Sequence, residues 1–419
     1  MTRPHITLED AGLAIVRRLR AHEHEAFWAG GCVRDMLLAQ PYDDIDVATS
    51  APPEEVIRLF TRTRKVGVQF GVVLVRQGPW WIEVATFRAD LEYADGRRPA
   101  GVVFTTAEED ARRRDFTING LFYDPVERKV IDHVGGQEDL RNRLVRAIGA
   151  PPERFAEDHL RMLRAVRFAT RLGFTIEPAT AAAITEHAER ITRISAERIR
   201  EELEKMLEAP GRAEAVKAMA RLGLLRHLWP DSNWPVYRVL RAVAVLGHLP
   251  ECADFVLAMA GLLHDKSTAD AERIGRALRC SNDQIDHAAW LVANREQIEQ
   301  ASAMSLAEFK KLLAHPRFDH LVLLHEAVCK AAGSSIDPCS AARRRRDSVT
   351  PEAVAPPPLV TGEDLIAAGR QPGPQFKRIL DTLYDAQLNN ELTSREQALQ
   401  KMRELIMTMW LAHRSEESD

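Results

Sequence analysis

A change of periodicity at Pro151-Pro152 constrains the fold of this chain more than any other feature. Up to about Ile148, helical spacing alternates with short runs rich in β-branched and aromatic residues: Phe27–Ala29, Ile45–Ala48, Val72–Arg76, Trp80–Thr86 and Lys129–Asp132. These runs predict the strands of a small α/β unit. Beyond the two prolines the strand signal almost vanishes, and amphipathic stretches such as Leu160–Leu172, Ala179–Ala188 and Ala196–Leu207 predict helices. The expected fold class is α+β, with a small mixed β-sheet unit over 1–150 followed by all-α parts. Pro210-Gly211 closes a first helical segment, 151–210, and a second runs over 211–335. Gly333-Ser334-Ser335, the Arg343–Arg346 run and Pro356–Pro358 predict a mobile linker over 336–358. A last helical unit, 359–419, ends in the acidic Glu416-Glu417-Ser418-Asp419.

The 419 residues suffice for two to four domains, at roughly 100–200 residues each. Lys plus Arg is 57 against 61 for Asp plus Glu, a net charge of −4, so any nucleic acid must be held by local basic surface. The apolar run Val256–Leu263 is far short of the roughly 20 residues that span a bilayer. The opening stretch, with Arg3, His5, Glu9 and Asp10, lacks the basic start and apolar core of a signal peptide. No membrane association or secretion is expected. Cys32, Cys252, Cys280, Cys329 and Cys339 form no CxxC pair, which points to a reducing cytoplasm without a zinc site.

In the first unit, Gly30-Gly31-Cys32-Val33-Arg34-Asp35 precedes Asp44-Ile45-Asp46 by about ten residues. Residues i and i+2 of a strand share a side, so Asp44 and Asp46 would present two hard carboxylates together, suited to Mg²⁺. Adjacent glycines before a helix let backbone N–H groups approach a phosphate, and Arg34 adds charge for the same anion. Glu83 reads either as a third carboxylate or as a surface acid on a strand edge. The run Arg112-Arg113-Arg114 leads straight into Asp115-Phe116-Thr117-Ile118-Asn119, which favours Arg114 pointing into a polyanion site. Further on, Asp158, Arg161 and Arg164 recur at helical spacing, as a ligand-facing stripe or as a salt-bridge ladder.

GGCVRD at 30–35, DDIDVAT at 43–49, EVATFR at 83–88, RRDFTING at 113–120 and EDHLRMLRAVRF at 157–168 resemble, in order and spacing, the class II tRNA nucleotidyltransferase and bacterial poly(A) polymerase family. The match is specific from about Phe27 to Phe174 and looser beyond. The resemblance implies a catalytic head (1–150), a neck that reads the base (151–210), a body (211–335) and a tRNA-contacting tail (359–419). It places catalytic Mg²⁺ ligands at Asp44 and Asp46, and nucleotide contacts at Gly31, Arg34, Arg114, Asp158, Arg161, Arg164 and Arg167. The implied substrates are the tRNA 3′ end, CTP and ATP, with no obligate protein partner. Such ions would activate the RNA 3′-hydroxyl and stabilise leaving pyrophosphate. A carboxylate at Asp158 and a guanidinium at Arg161 match the amino donor and ring acceptor of cytosine and adenine; uracil and guanine would meet like against like.

Three activities compete within this family: full CCA addition, A-only or CC-only addition, and polyadenylation. The segment from Thr86 to Pro99 resembles the short flexible loop of CCA- and A-adding members. His159 departs from the Pro of poly(A) polymerases and from the Ala of CCA enzymes, while Gly120-Leu121-Phe122-Tyr123 leans to the polymerases. CCA addition is the favoured reading. Leu262-Leu263-His264-Asp265-Lys266 also resembles the HD phosphohydrolase signature, with His248 and His287 as candidate neighbours. A non-catalytic RNA-binding protein would have no need of Asp44 and Asp46. Arg193, Arg198, Arg200, Lys205, Arg212, Lys217, Arg370 and Lys377 are candidates for the tRNA backbone.

Overall fold

The computed structural model describes residues 6–66, 70–90, 101–229 and 234–416. The loop residues Tyr93–Pro99 and the acidic end 417–419 lie outside them. The chain divides into two compact units, 1–240 with 277–279, and 241–276 with 280–419. The expected 211–335 segment is therefore shared between the two.

In the first unit Thr7 caps α1 (Leu8–Arg20): its hydroxyl accepts from the Asp10 N–H at 3.1 Å, and its own N–H donates to the Asp10 carboxylate. Leu8, Ala11, Ile15, Val16 and Leu19 form the buried face of this helix. Next come β1 (Ala26–Ala29), α2 (Gly31–Leu37), β2 (Asp46–Thr49), α3 (Pro53–Leu59), β3 (Thr63–Arg64), β4 (Val72–Gln77) and β5 (Trp80–Thr86). Then β6 (Arg88–Asp90) and β7 (Val102–Phe104) pair as a separate ribbon. After α4 (Ala107–Arg112) follow β8 (Leu121–Asp124), β9 (Lys129–Asp132) and α5 (Gly136–Asn142). The main sheet has seven strands in the order β3-β4-β5-β2-β1-β8-β9, with β2 and β5 parallel. Strand β8 is absent from the predicted runs because it is short and almost wholly buried, so it shows no alternation. Phe27, Phe87 and Phe122 meet with centroids 6.0–6.2 Å apart. Ala29, Ala48, Ala107 and Ala111 fill in around them as one core.

Proline at the first turn starts both α6 (Pro151–Glu157) and α8 (Pro178–His187). Between them lies α7 (Arg161–Leu172), ended by Gly173 at φ +65, and α9 (Ala196–Leu207) packs against α7.

In the second unit the helix Phe255–Leu262, capped by Asp254, is buried along its whole length against the helices Asn282–Asn294 and Phe318–Ala332. The predicted linker at 336–358 is corrected. Asp337–Asp347 is a helix that buries Cys339 and Ala342, and a short turn follows at Pro351–Val354. Arg343 pairs with Glu326, Arg346 with Asp319, and Arg345 lies 4.6 Å over the Phe309 ring. The repulsion implied by the arginine run is relieved by partners distant in sequence. Val360, Leu365, Ile379, Leu383, Ala398 and Met402 form a separate small core near the end. Among the described residues no helix is long and apolar enough to cross a membrane.

Candidate active site

The chain leaves β1 through Gly30, at φ +74, and enters α2 at Gly31. A Cβ at Gly30 would stand 3.0 Å from Nη1 of Arg114, so both backbone angle and close approach call for glycine. Strand β2 runs antiparallel to β1 with Asp46 opposite Ala29, which brings the acidic motif to the same sheet edge as the glycine turn. Asp46 opens the strand and Asp44 precedes it; both face one cleft of about 700 Å³.

No described residue donates a side-chain hydrogen bond to the carboxylates of Asp44 or Asp46. Glu83 on β5 stands in register beside Asp46. Water reaches the Asp46 side chain, yet protein surrounds most of it, and its carboxyl is pushed up to about 7. Burial is the main cause, the charges on Glu83 and Asp44 add to it, and Arg114 opposes it. Glu83 does not line the cleft.

The cations are held by acids. Arg34, only 2% exposed, grips both oxygens of Asp35 at 2.8 Å and donates to Oδ1 of Asn119 at 2.6 Å. Asn119 in turn donates to Asp115 at 3.1 Å, and Asp115 accepts from Nε of Arg164 at 2.8 Å. Burial works to raise the Asp115 carboxyl, but Arg164 and Asn119 hold it below the usual carboxylate range. Arg114 pairs with Asp110 at 2.9 Å and reaches the Asn119 carbonyl. Arg34 and Arg164 lie 5.2 and 5.3 Å over the Phe168 ring. The network joins α2, the 3₁₀ turn Thr117–Asn119 and α7 into one wall.

At the other end the expected continuous stripe is broken. Asp158 lies between α6 and α7, where its side chain accepts from the Leu160 N–H at 3.0 Å. This local bond competes with helix formation, so α7 starts only at Arg161. Arg198 of α9 holds both Asp158 oxygens at 2.7 and 3.2 Å. Arg161 pairs with Glu157 at 2.5 Å.

Gly31, Arg34, Asp44, Asp46, Arg114, Asp158, Arg161 and Arg164 all line the cleft. Arg167 does not, though its guanidinium lies 4.2 Å over the ring of Phe168, which does. It is buried on the α9 side, with Nε 2.6 Å from Glu202. Asp35, Arg113, Asp115, Asn119 and Phe168 also line the cleft, and stood unassigned inside the motifs. The sequence marks Arg198 only as a candidate for the tRNA backbone, and Arg171 carries no signal beyond its spacing of seven from Arg164.

In the second unit His264 and Asp265 face a separate cavity of about 380 Å³ together with His325 and Arg241. His248 and His287 do not line it, and His287 bonds Arg317 at 3.0 Å instead. Among the described residues no three His, Cys, Asp or Glu side chains group as a metal site.

A CCA-adding enzyme of Geobacillus kaustophilus is 35% identical over 393 residues, covering 93% of this chain and 95% of the relative. The chain belongs to the CCA-adding enzyme family. A Geobacillus thermodenitrificans CCA-adding enzyme is 36% identical and covers 92% and 94% of the two chains. The crystal structure of the Bacillus stearothermophilus CCA-adding enzyme in complex with CTP matches with a TM-score of 0.80 at 30% identity, covering 98% of this chain and 100% of that one. Family models described as Poly A polymerase head domain, "Probable RNA and SrmB- binding site of polymerase A" and tRNA nucleotidyltransferase domain 2 match residues 26–146, 173–234 and 256–402. The head is that of a nucleotidyltransferase.

Proposed function

We propose that this chain adds CCA to the 3′ end of tRNA, using CTP and ATP, by Mg²⁺-dependent nucleotidyl transfer. The observation that carries the reading is one cleft holding both the unpaired carboxylates Asp44 and Asp46 and the Asp158–Arg161 pair. The names of the relatives support it.

The acidic pair fits a hard cation, because two neighbouring carboxylates without donors among the described residues repel one another until a cation joins them. Mg²⁺ bound there would supply Lewis acidity to the phosphoryl oxygens and favour ionisation of the attacking hydroxyl. Gly31, Arg34, Arg114 and Arg164 bind the triphosphate, with Asp35, Asp110 and Asp115 fixing the guanidinium groups in advance. Arg198 and the Leu160 N–H use three of the roughly four acceptor positions of Asp158. The last is left for the amino group of cytosine or adenine, while Arg161 donates to the ring acceptor. Arg167 braces α7. The free cysteines suit a reducing cytoplasm, where we place the reaction.

The test supplies purified protein with tRNAs lacking A, CA or CCA, plus CTP and ATP, and sequences the 3′ ends. Completion to CCA followed by arrest is expected. Long A tails without a CTP requirement would establish polyadenylation instead, and extension only of tRNA ending in CC would establish A-only addition.

A further inference from the structure

Among the described residues, Arg171 is the one cleft arginine without a carboxylate of its own. Arg34, Arg113, Arg114, Arg161, Arg164 and Arg198 each hold a carboxylate oxygen at 2.5–2.9 Å. Arg171 reaches only Oδ2 of Asp35, at 3.5 Å, and its side chain stays 49% exposed. Both Asp35 oxygens already accept from Arg34 at 2.8 Å, so the Arg171 contact is long and its partner is already taken. The guanidinium is poised beside an anion that does not satisfy it.

Its position shows what would. Arg161, Arg164, Phe168 and Arg171 follow one another on α7 at steps of three, four and three residues, and all line the cleft. They form one helical face. At 1.5 Å per residue, Arg171 stands about 15 Å beyond Arg161 along that face. With the base read at Asp158 and Arg161, the part of a nucleoside triphosphate farthest from the base belongs at the Arg171 end. Arg34 and Arg171 flank the same carboxylate, so an oxyanion held by Arg34 lies next to Arg171.

We propose that Arg171 binds the γ-phosphate of the incoming CTP or ATP. It then keeps hold of the pyrophosphate as the bond to the α-phosphorus breaks and the 3′-hydroxyl oxygen, its proton released to water, bonds that phosphorus. The planar fork of arginine suits two oxygens of one terminal phosphate. This assignment rests on the CCA-addition reading of the cleft.

The experiment titrates CTP and CDP by calorimetry into the full-length chain and its Arg171→Ala and Arg171→Lys variants, and measures KM for trimmed tRNA. Loss of one charge-assisted contact should weaken CTP about 10- to 100-fold and leave CDP within about twofold, with Arg171→Lys between. Equal weakening of CTP and CDP, no change in either, or a raised KM for tRNA with unaltered CTP affinity would overturn the assignment. Unchanged CDP affinity shows that the variant is folded; should Arg171→Ala not fold, the Arg171→Lys ratio decides. A wild-type chain that adds neither C nor A to trimmed tRNA sinks the CCA reading itself. An active wild type with an unaltered CTP-to-CDP ratio in the variants removes only Arg171.

Discussion

Asp46 is the residue where folding and the proposed metal binding pull in opposite directions. Its carboxyl is raised from 3.8 to about 7, so the folded state binds the proton more tightly than the unfolded chain does. The associated stability is complete below about pH 4 and is lost as pH rises through about 7. In a chelator, the wild type should therefore melt lower at pH 8 than at pH 6 on account of this group. Asp46→Asn should shrink that gap and abolish nucleotide incorporation. Calorimetry at the two pH values checks it, and an undiminished gap in the variant would count against the shift. Asp158 makes a second residue-scale case. Asp158→Ala removes the acceptor for the base amino group, a contact worth about 1.5–3 kcal/mol, so preference for C and A over U and G should fall at least about tenfold. Single-nucleotide incorporation with the four triphosphates measures this; a uniform loss across all four would mean that Asp158 serves only to anchor Arg198.

At the scale of elements, α7 works because its two sides differ. Arg161, Arg164 and Arg171 face the cleft, while Arg167 is turned to α9 and paired with Glu202, both side chains being nine-tenths or more buried. Arg167→Ala would leave the buried Glu202 carboxylate only its longer contact to Arg164, at 3.7 Å, at a cost of up to roughly 3 kcal/mol. Replacing both, Arg167→Met with Glu202→Leu, should recover most of that loss and leave CTP affinity little changed. Urea unfolding and a CTP titration test the pair; a large loss of CTP affinity in a stably folded double variant would place Arg167 at the nucleotide.

For the whole molecule, every residue lining the cleft belongs to the first of the two units. The second unit carries its own cores, one built around Leu365, Ile379 and Leu383. Leu383→Ala should cost roughly 2–5 kcal/mol of that unit's stability. CTP affinity should stay unchanged and the melting temperature should drop, as calorimetry with and without CTP would register. A parallel loss of CTP binding would show that the cleft depends on the second unit.

How much was legible depended on range. The glycine turn and the α+β division rest on local chemistry, positive φ and proline at helix starts, so the sequence alone determined them; Asp44 lies before β2, so its meeting with Asp46 in the cleft is not the work of strand alternation. It did not reveal the break at Asp158, because one side-chain bond to the Leu160 N–H competes there with an otherwise helical pattern. Nor could it show that Arg198, forty residues on, clamps Asp158, that Arg167 turns inward to Glu202, or that the Arg343–Arg346 run lies in a packed helix rather than a linker. A charged side chain reads the same in sequence whether it faces a ligand, water or a buried partner. Only the packing of distant elements supplies the opposing charge, and that packing decided which arginines face the cleft and which are paired in the interior.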